Sequence, residues 1–229
     1  MRGSSRFTGQ RHRFTLGLLV VMALLASQLV GCGGGDTTDP PSGPDTAAEF
    51  SQRGWDRFTA GNYSGAASDF TAALGLDAGY GPALAGRAWT QLAQAASAAA
   101  MQTAVTSFNA AVAAGEDGAY VIAGRAAAYL GAGTYASGVT DAQAALTAEP
   151  TFVFSYRNSF DRNDLYLIIA FAQAGQGNLG PALLAADAVT DSGIEEISPA
   201  SWIVNSVTYT TFAGAVLAHL QAVSDAFSG

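Results

Sequence analysis

Few side chains in this 229-residue chain could catalyse a reaction or hold a metal ion. The two histidines are His12, beside an apolar N-terminal run, and His219, while Cys32 is the only cysteine. Zinc needs about three or four nitrogen, sulfur or carboxylate ligands in one place, so sites of the usual kinds cannot be built. No serine lies in a Gly-x-Ser-x-Gly elbow. We therefore expect no enzyme activity, no metal and no cofactor, and we expect His219 to be a partly solvated side chain on a helix.

Arginines are the other side chains that could bind a ligand, and all ten basic residues of the chain are arginines. Arg53, Arg87 and Arg125 recur in register, and Asp69 and Asp141 share an equivalent position downstream of the first and third. A row of arginines could hold acidic ligands. A cation and an anion that recur together instead favour ion pairs between the two helices of a hairpin. Arg87 lacks an acidic counterpart and is the arginine most expected to be free.

These arginines lie within a longer repeated pattern, and the structural elements of the repeat must position them. The sequence Ala-Gly-Arg-Ala at 85–88 returns at 123–126, and Arg-Gly-Trp at 53–55 matches Arg-Ala-Trp at 87–89. Repetition with a period near 34 residues is typical of helical-hairpin arrays, in which each unit buries its apolar face only against its neighbours. Such arrays are mostly binding surfaces.

The first unit, at 47–80, has the small Gly54 in its first helix, Gly61-Asn62-Tyr63 at its turn, and Phe70 in its second helix. It resembles a tetratricopeptide repeat (TPR). A second unit with four extra residues, a third at 119–152 and a weaker fourth that begins after about ten extra residues share the pattern. The resemblance covers residues 47–191. It implies an all-α fold of about four hairpins that form a short right-handed superhelix.

Residues 192–229 depart from the repeat and are predicted to cap the array. Ser198-Pro199 resembles a helix start, and apolar residues recur at helical spacing from Trp202 onward. One long or two short capping helices are expected, and a short strand within 204–211 is the disfavoured alternative.

TPR geometry implies that certain first-helix positions face a concave groove. On this chain the resemblance assigns the groove to Trp55, Phe58, Trp89, Leu92, Tyr120, Leu130 and Phe171. Aromatic-lined grooves recognise a helix or peptide through anchor side chains, so a protein or peptide partner in the cell envelope is expected. The protein's own C-terminal helix could instead fill the groove.

A second hypothesis is a receptor that closes the groove into an apolar pocket for a small hydrophobic molecule. Exposed Trp55 and Trp89 would favour the protein partner, whereas a sealed cavity around them would favour the small ligand. The insertion before the fourth unit, at 152–162, is another candidate surface through Tyr156, Arg157, Phe160 and Arg162, because aromatic and arginine side chains are enriched at interfaces. A loop folded under itself as an apolar lid is the alternative.

The N-terminus is typical of an export signal. Arginines 11 and 13 precede an apolar run at 14–26 that is short for a membrane-spanning helix. The run leads to Leu-Val-Gly before Cys32, which resembles the bacterial lipoprotein box. We predict a lipoprotein signal peptide at 1–31 and a flexible tether at 32–46, rich in glycine and proline. The alternative is a lone thiol after an ordinary signal peptide.

The lipoprotein resemblance implies diacylglycerol and a third acyl chain on Cys32, which would anchor the protein to a membrane. Gly33 is not the aspartate that tends to retain enterobacterial lipoproteins at the inner membrane, so we expect the outer membrane, facing the periplasm or the cell surface. Residues 32–229 hold 18 acids against six arginines, a net charge of −12. That charge disfavours nucleic acid as a partner.

Overall fold

The computed structural model describes residues 46–157, 159–193 and 201–228. The predicted signal peptide at 1–31, Cys32 and the tether up to residue 45 lie outside the described residues, and so does Ser198-Pro199. None of the described helices is long and apolar enough to cross a membrane.

Within the described part of the chain, eight helices follow one another through short connections as four hairpins. They are α1 Ala47–Thr59, α2 Tyr63–Leu76, α3 Gly81–Gln94, α4 Ala98–Ala113, α5 Ala119–Ala132, α6 Tyr135–Ala148, α7 Arg162–Gln176 and α8 Leu179–Asp187. Each helix packs on the next, and the first helices also contact one another across the hairpins, α1 with α3, α3 with α5 and α5 with α7. The predicted all-α, TPR-like hairpin repeat is confirmed.

Local sequence explains where the helices begin and end. Thr46 and Glu49 form a capping box at α1, in which the Thr46 amide donates to Glu49 Oε2 at 2.7 Å. Gly61, after α1, and Gly133, at the end of α5, have φ of 75° and 79°. This left-handed conformation closes a helix with least cost at glycine. The predicted role of Gly61 at the first turn is confirmed.

The repeated Ala-Gly-Arg-Ala motif places a glycine where an aromatic ring of the preceding second helix packs. The Phe70 ring lies directly on Gly86, and an ideal Cβ on Gly124 would lie 2.5 Å from Phe108 Cζ and 2.7 Å from Trp89 Cε2. No side chain fits there without displacing a ring. The first hairpin contacts the second, and the second contacts the third, through this packing of a ring on the glycine of the motif.

Ion pairs join the two helices of the first and third hairpins, as predicted. Arg53 Nε lies 3.2 Å from Asp69 Oδ1, and Arg57 Nη1 lies 2.9 Å from Asp69 Oδ2. Asp141 receives both Nε and Nη2 of Arg125, at 2.6 and 3.0 Å, and this pairing raises the pKa of Arg125. In the second hairpin, Arg87 Nε is buried without a hydrogen-bond partner among the described residues.

The expected long capping helix is present, but the disfavoured strand is present as well, because a β-hairpin precedes the helix in the C-terminal part. Strands β1 Trp202–Val204 and β2 Val207–Tyr209 pair antiparallel, and α9 Phe212–Ser228 follows. Asn205 and Ser206, with φ of 49° and 65°, form the two-residue turn between the strands. Helix α9 packs on α8, α7 and the β-hairpin. The β-branched residues at 203–208 outweigh the helical spacing of the apolar positions.

His219 also differs from the expectation of a partly solvated side chain. It lies on α9 and is 5% exposed, with Nε2 at 3.3 Å from Asp187 Oδ1 at the end of α8. The contact joins the capping helix to the last hairpin, so the His219 side chain lies between these helices rather than in solvent.

We predict that Gly124→Ala destabilises the protein by about 1–2 kcal/mol, because overpacking against Phe108 and Trp89 exceeds the gain of up to about 1 kcal/mol in helix propensity. The matched control is Gly75→Ala in α2, where an added Cβ meets nothing within 4 Å. The control is expected to be stabilising by about 0.5–1 kcal/mol. Urea unfolding measures both variants. A neutral or stabilising Gly124→Ala would contradict the packing account.

Candidate binding groove

The seven residues predicted to line the groove lie on the first helices of the four hairpins. Trp55 and Phe58 are on α1, Trp89 and Leu92 on α3, Tyr120 and Leu130 on α5, and Phe171 is on α7. Tyr120 is half-buried, and the other six are at most 4% exposed. The structure brings the aromatic members together across α1, α3 and α5. Their role in binding a partner stays a prediction.

An internal segment of the chain occupies the space in front of these residues. We call residues 152–157 and 159–161, which precede α7, the aromatic insert. Its Phe154 ring stacks on Trp89 with centroids 4.1 Å apart and planes at 16°. Its Tyr156 ring stacks on Trp55 at 4.1 Å and 14°. Two rings of the insert therefore cover the two tryptophans.

The rest of the aromatic insert completes this packing. Phe160 meets Trp89 edge-on at 5.3 Å, and Phe154 also contacts Phe58 at 6.2 Å and Tyr120 at 6.1 Å. Phe152, Phe154 and Phe160 are at most 1% exposed. Full burial of a phenylalanine contributes about 1.5–3 kcal/mol, and a favourable ring pair adds about 0.5–1.5 kcal/mol. These contacts seat the aromatic insert in the groove.

The aromatic insert has its own hydrogen-bonded turn. The Phe154 amide donates to the Phe160 carbonyl, and the Arg162 amide donates to the Phe152 carbonyl, both at 2.9 Å. An isolated bridge pairs Val153 with Asp161. The insert thus folds back on itself and returns the chain to α7 close to where it left α6.

The burial of the insertion favours the apolar lid, since Phe160 is fully buried and Tyr156 and Arg157 are half-buried, while Arg162 is exposed. The role of these four residues in an interface stays a prediction. The groove is filled, but by the aromatic insert rather than by the C-terminal helix. The two tryptophans are therefore buried, and the rings of Phe154 and Phe160 occupy the space beside Trp89.

A partly exposed rim surrounds the filled groove. Tyr120 Oη donates to Glu116 Oε1 at 2.7 Å, and burial together with this acceptor raises the pKa of Tyr120. Burial also raises the pKa of Tyr156, and the negative charges of Asp56 and Glu116 add to the effect. Aromatic rings beside two carboxylates, the exposed Asp56 and the half-buried Glu116, therefore form the outer surface of this site.

Two buried polar groups in and beside the site stand out. Trp89 Nε1 has no hydrogen-bond partner among the described residues, although its ring is fully buried. An unmade buried hydrogen bond costs about 1–3 kcal/mol, which the ring packing around Trp89 must outweigh. Asp164, in the first turn of α7, is 2% exposed, and its Oδ2 accepts the Asp161 amide at 2.6 Å as part of a capping box.

Outside the groove, the described residues offer little chemistry. A shallow, open depression of about 270 Å³ lies on the third hairpin, lined by Tyr129, Ala136, Ser137, Thr140 and Asp141. No group of three or more histidine, cysteine or carboxylate side chains among the described residues could hold a metal ion. The aromatic groove is the main candidate for function.

No family model matches the chain, and a comparison with curated proteins finds no match. Among solved structures, the NMR structure of the first TPR domain of human RPAP3 matches with a TM-score of 0.47 and 20% identity, covering 57% of this chain and 95% of that chain. A tetratricopeptide repeat protein from Parabacteroides merdae ATCC 43184 matches with a TM-score of 0.48 and 15% identity, covering 79% of this chain and 60% of that chain. These similarities concern the fold and say nothing about a partner.

The stability of the protein is expected to depend on pH through Asp164, which lies in the first turn of α7, directly after the aromatic insert. Burial raises the pKa of this carboxyl to about 7, and the Asp161 charge contributes, while the Asp161 amide and Arg157 oppose the rise. Because the folded pKa lies above the ordinary value, the stability due to Asp164 is full below about pH 4 and is lost as the pH rises through about 7. The free energy of unfolding should therefore fall between pH 5 and pH 8.

Asp164→Asn keeps an uncharged acceptor for the Asp161 amide and should flatten this pH dependence. Urea unfolding at pH 5 and pH 8 measures the effect. Asp225→Asn, on the exposed face of α9, is the control and should leave the dependence unchanged. An Asp164→Asn variant that retains the wild-type difference between the two pH values would show that another group is responsible.

Proposed function

We propose that this protein is a non-catalytic, lipid-anchored scaffold of the cell envelope that binds a protein or peptide partner through its groove face. The observation that carries the proposal is the collection of aromatic side chains from α1, α3 and α5 on one face, with the half-buried Tyr120 and Tyr156 at its rim. Rings that are partly apolar and partly polar are the side chains most enriched in protein interfaces.

The rim also defines the charge of a suitable partner. Asp56 and Glu116 lie close enough to Tyr156 to raise its pKa, and the chain from Cys32 onward has a net charge of −12. A neutral or basic segment would approach this surface favourably, whereas a nucleic acid would be repelled. We therefore propose a partner with arginine or lysine side chains beside its apolar anchors.

The proposed anchor is the lipidated Cys32 at the outer membrane. The tether at 32–46 has 15 residues, and a flexible chain of that length spans on the order of 20 Å. This distance would hold the hairpin array just off the lipid surface, within reach of other envelope proteins. Three acyl chains would make the attachment effectively permanent.

Charge reversal at the rim tests the partner. Asp56→Lys is expected to lower recovery of a crosslinked envelope partner about tenfold, the equivalent of about 1.4 kcal/mol. The matched control is Asp225→Lys. Asp56 and Asp225 are both exposed helical aspartates that accept a hydrogen bond from a glutamine four residues earlier, at 2.9 and 2.7 Å. Equal recovery with both variants would remove the groove face from the proposal.

Fractionation tests the anchor. Cys32→Ser is expected to move the protein from the outer-membrane fraction to the soluble fraction of the envelope, because the attachment site of the lipid is lost. Labelling with a radioactive fatty acid should mark the wild-type protein and leave the variant unmarked. A Cys32→Ser protein that still sediments with membranes would refute lipid anchoring.

A further inference from the structure

We propose that the groove is a docking site for an aromatic segment of a partner, and that the aromatic insert occupies it as an intramolecular competitor. The segment we expect carries two aromatic side chains two residues apart, the spacing of Phe154 and Tyr156. This inference rests on the proposed function, because it identifies the chemistry of the partner that the groove face binds.

The first argument is that the aromatic insert exceeds what the chain connection requires. The hairpins before it are joined by residues 77–80 and 114–118, which are four and five residues long. The connection from α6 to α7 has 13 residues, 149–161. The extra length folds into its own hydrogen-bonded turn and leads directly into the groove. Because this connection is longer than the others, release of the segment from the groove would not require the helices that it connects to unfold.

The second argument is the way in which the aromatic insert is held. Its Phe154 and Tyr156 reach across to rings on α1, α3 and α5, none of which is adjacent to it in sequence. The insert also lies at the surface, since Val153 is 51% exposed and Tyr156 is half-buried.

The third argument is quantitative. A tethered segment acts at an effective concentration of about 1 mM, so a free segment with equal contacts displaces half of it only near that concentration. A partner with further contacts, such as a basic group beside Asp56 and Glu116, would bind more tightly. Weakening the aromatic insert should have the same effect, because it removes the internal competitor.

The test uses the insert itself as the probe. A synthetic peptide with the sequence of residues 151–162 is titrated into the full chain and followed by tryptophan fluorescence and calorimetry. Wild type should bind it with a Kd near 1 mM. The Phe154→Ala variant, in which the internal ring is lost, should bind it at least tenfold more tightly. A peptide with alanines in place of Phe154 and Tyr156 is the control and should not bind.

The result that would overturn the proposal is a Phe154→Ala protein that keeps its helical circular dichroism and binds the peptide no better than wild type. Because this variant removes a fully buried ring, a second measurement uses the wild type alone. Hydrogen exchange of the Phe154 and Arg162 amides should show an opening of lower free energy than the amides of α3 and α5. Exchange of these amides only through global unfolding would equally reject displacement of the insert.

The two proposals can fail separately. If Asp56→Lys loses the envelope partner while the peptide does not bind the Phe154→Ala protein, the partner binds the rim and the groove does not accept a second segment. If the peptide binds the Phe154→Ala protein while Asp56→Lys has no effect, the groove accepts aromatic segments but the envelope partner uses another surface.

Discussion

The stacking of Phe154 on Trp89 is the contact on which the inner face of this protein depends. Trp89 can lie flat in the groove because Gly124 leaves room for its edge, and Phe108 supports it from the neighbouring second helix. Phe154 stacks on the face of the indole that points into the groove. The glycine motif, the hairpin packing and the aromatic insert therefore meet at one side chain, and the geometry of each constrains the others.

This constraint bears directly on function. A hairpin array buries its apolar faces between neighbours and leaves its inner face to bind something. In this chain the aromatic insert covers the aromatic residues of the inner face, so the proposed partner would meet either the rim around Tyr156 or a groove from which the insert has been displaced. The all-α hairpin architecture is compatible with both, and the carboxylates of Asp56 and Glu116 would bias either mode towards basic or neutral segments.

Much of the fold could be predicted from the sequence because its determinants are local or repeat at a fixed interval. Gly61 at the first turn was identified from the resemblance to a tetratricopeptide repeat, and the pairs Arg53–Asp69 and Arg125–Asp141 from their recurring positions, and all lie where expected. The β-hairpin at 202–209 was the disfavoured alternative, because its apolar residues also fit helical spacing and Asn205-Ser206 is a weak turn signal. His219 was expected to be partly solvated, because its contact with Asp187, 32 residues away, follows no local pattern.

The candidate site shows most clearly which features can be predicted from the sequence and which depend on the three-dimensional structure. The repeat pattern predicts aromatic side chains on successive first helices, because repeat spacing places equivalent residues on equivalent faces. The arginine- and aromatic-rich insertion is also recognisable from the sequence. The stacking of Phe154 and Tyr156 on Trp89 and Trp55 is visible only in three dimensions. That pairing depends on the path of a non-repeating connection between rings 65 and 101 residues apart, which no periodicity encodes because ring stacking depends on position in three dimensions.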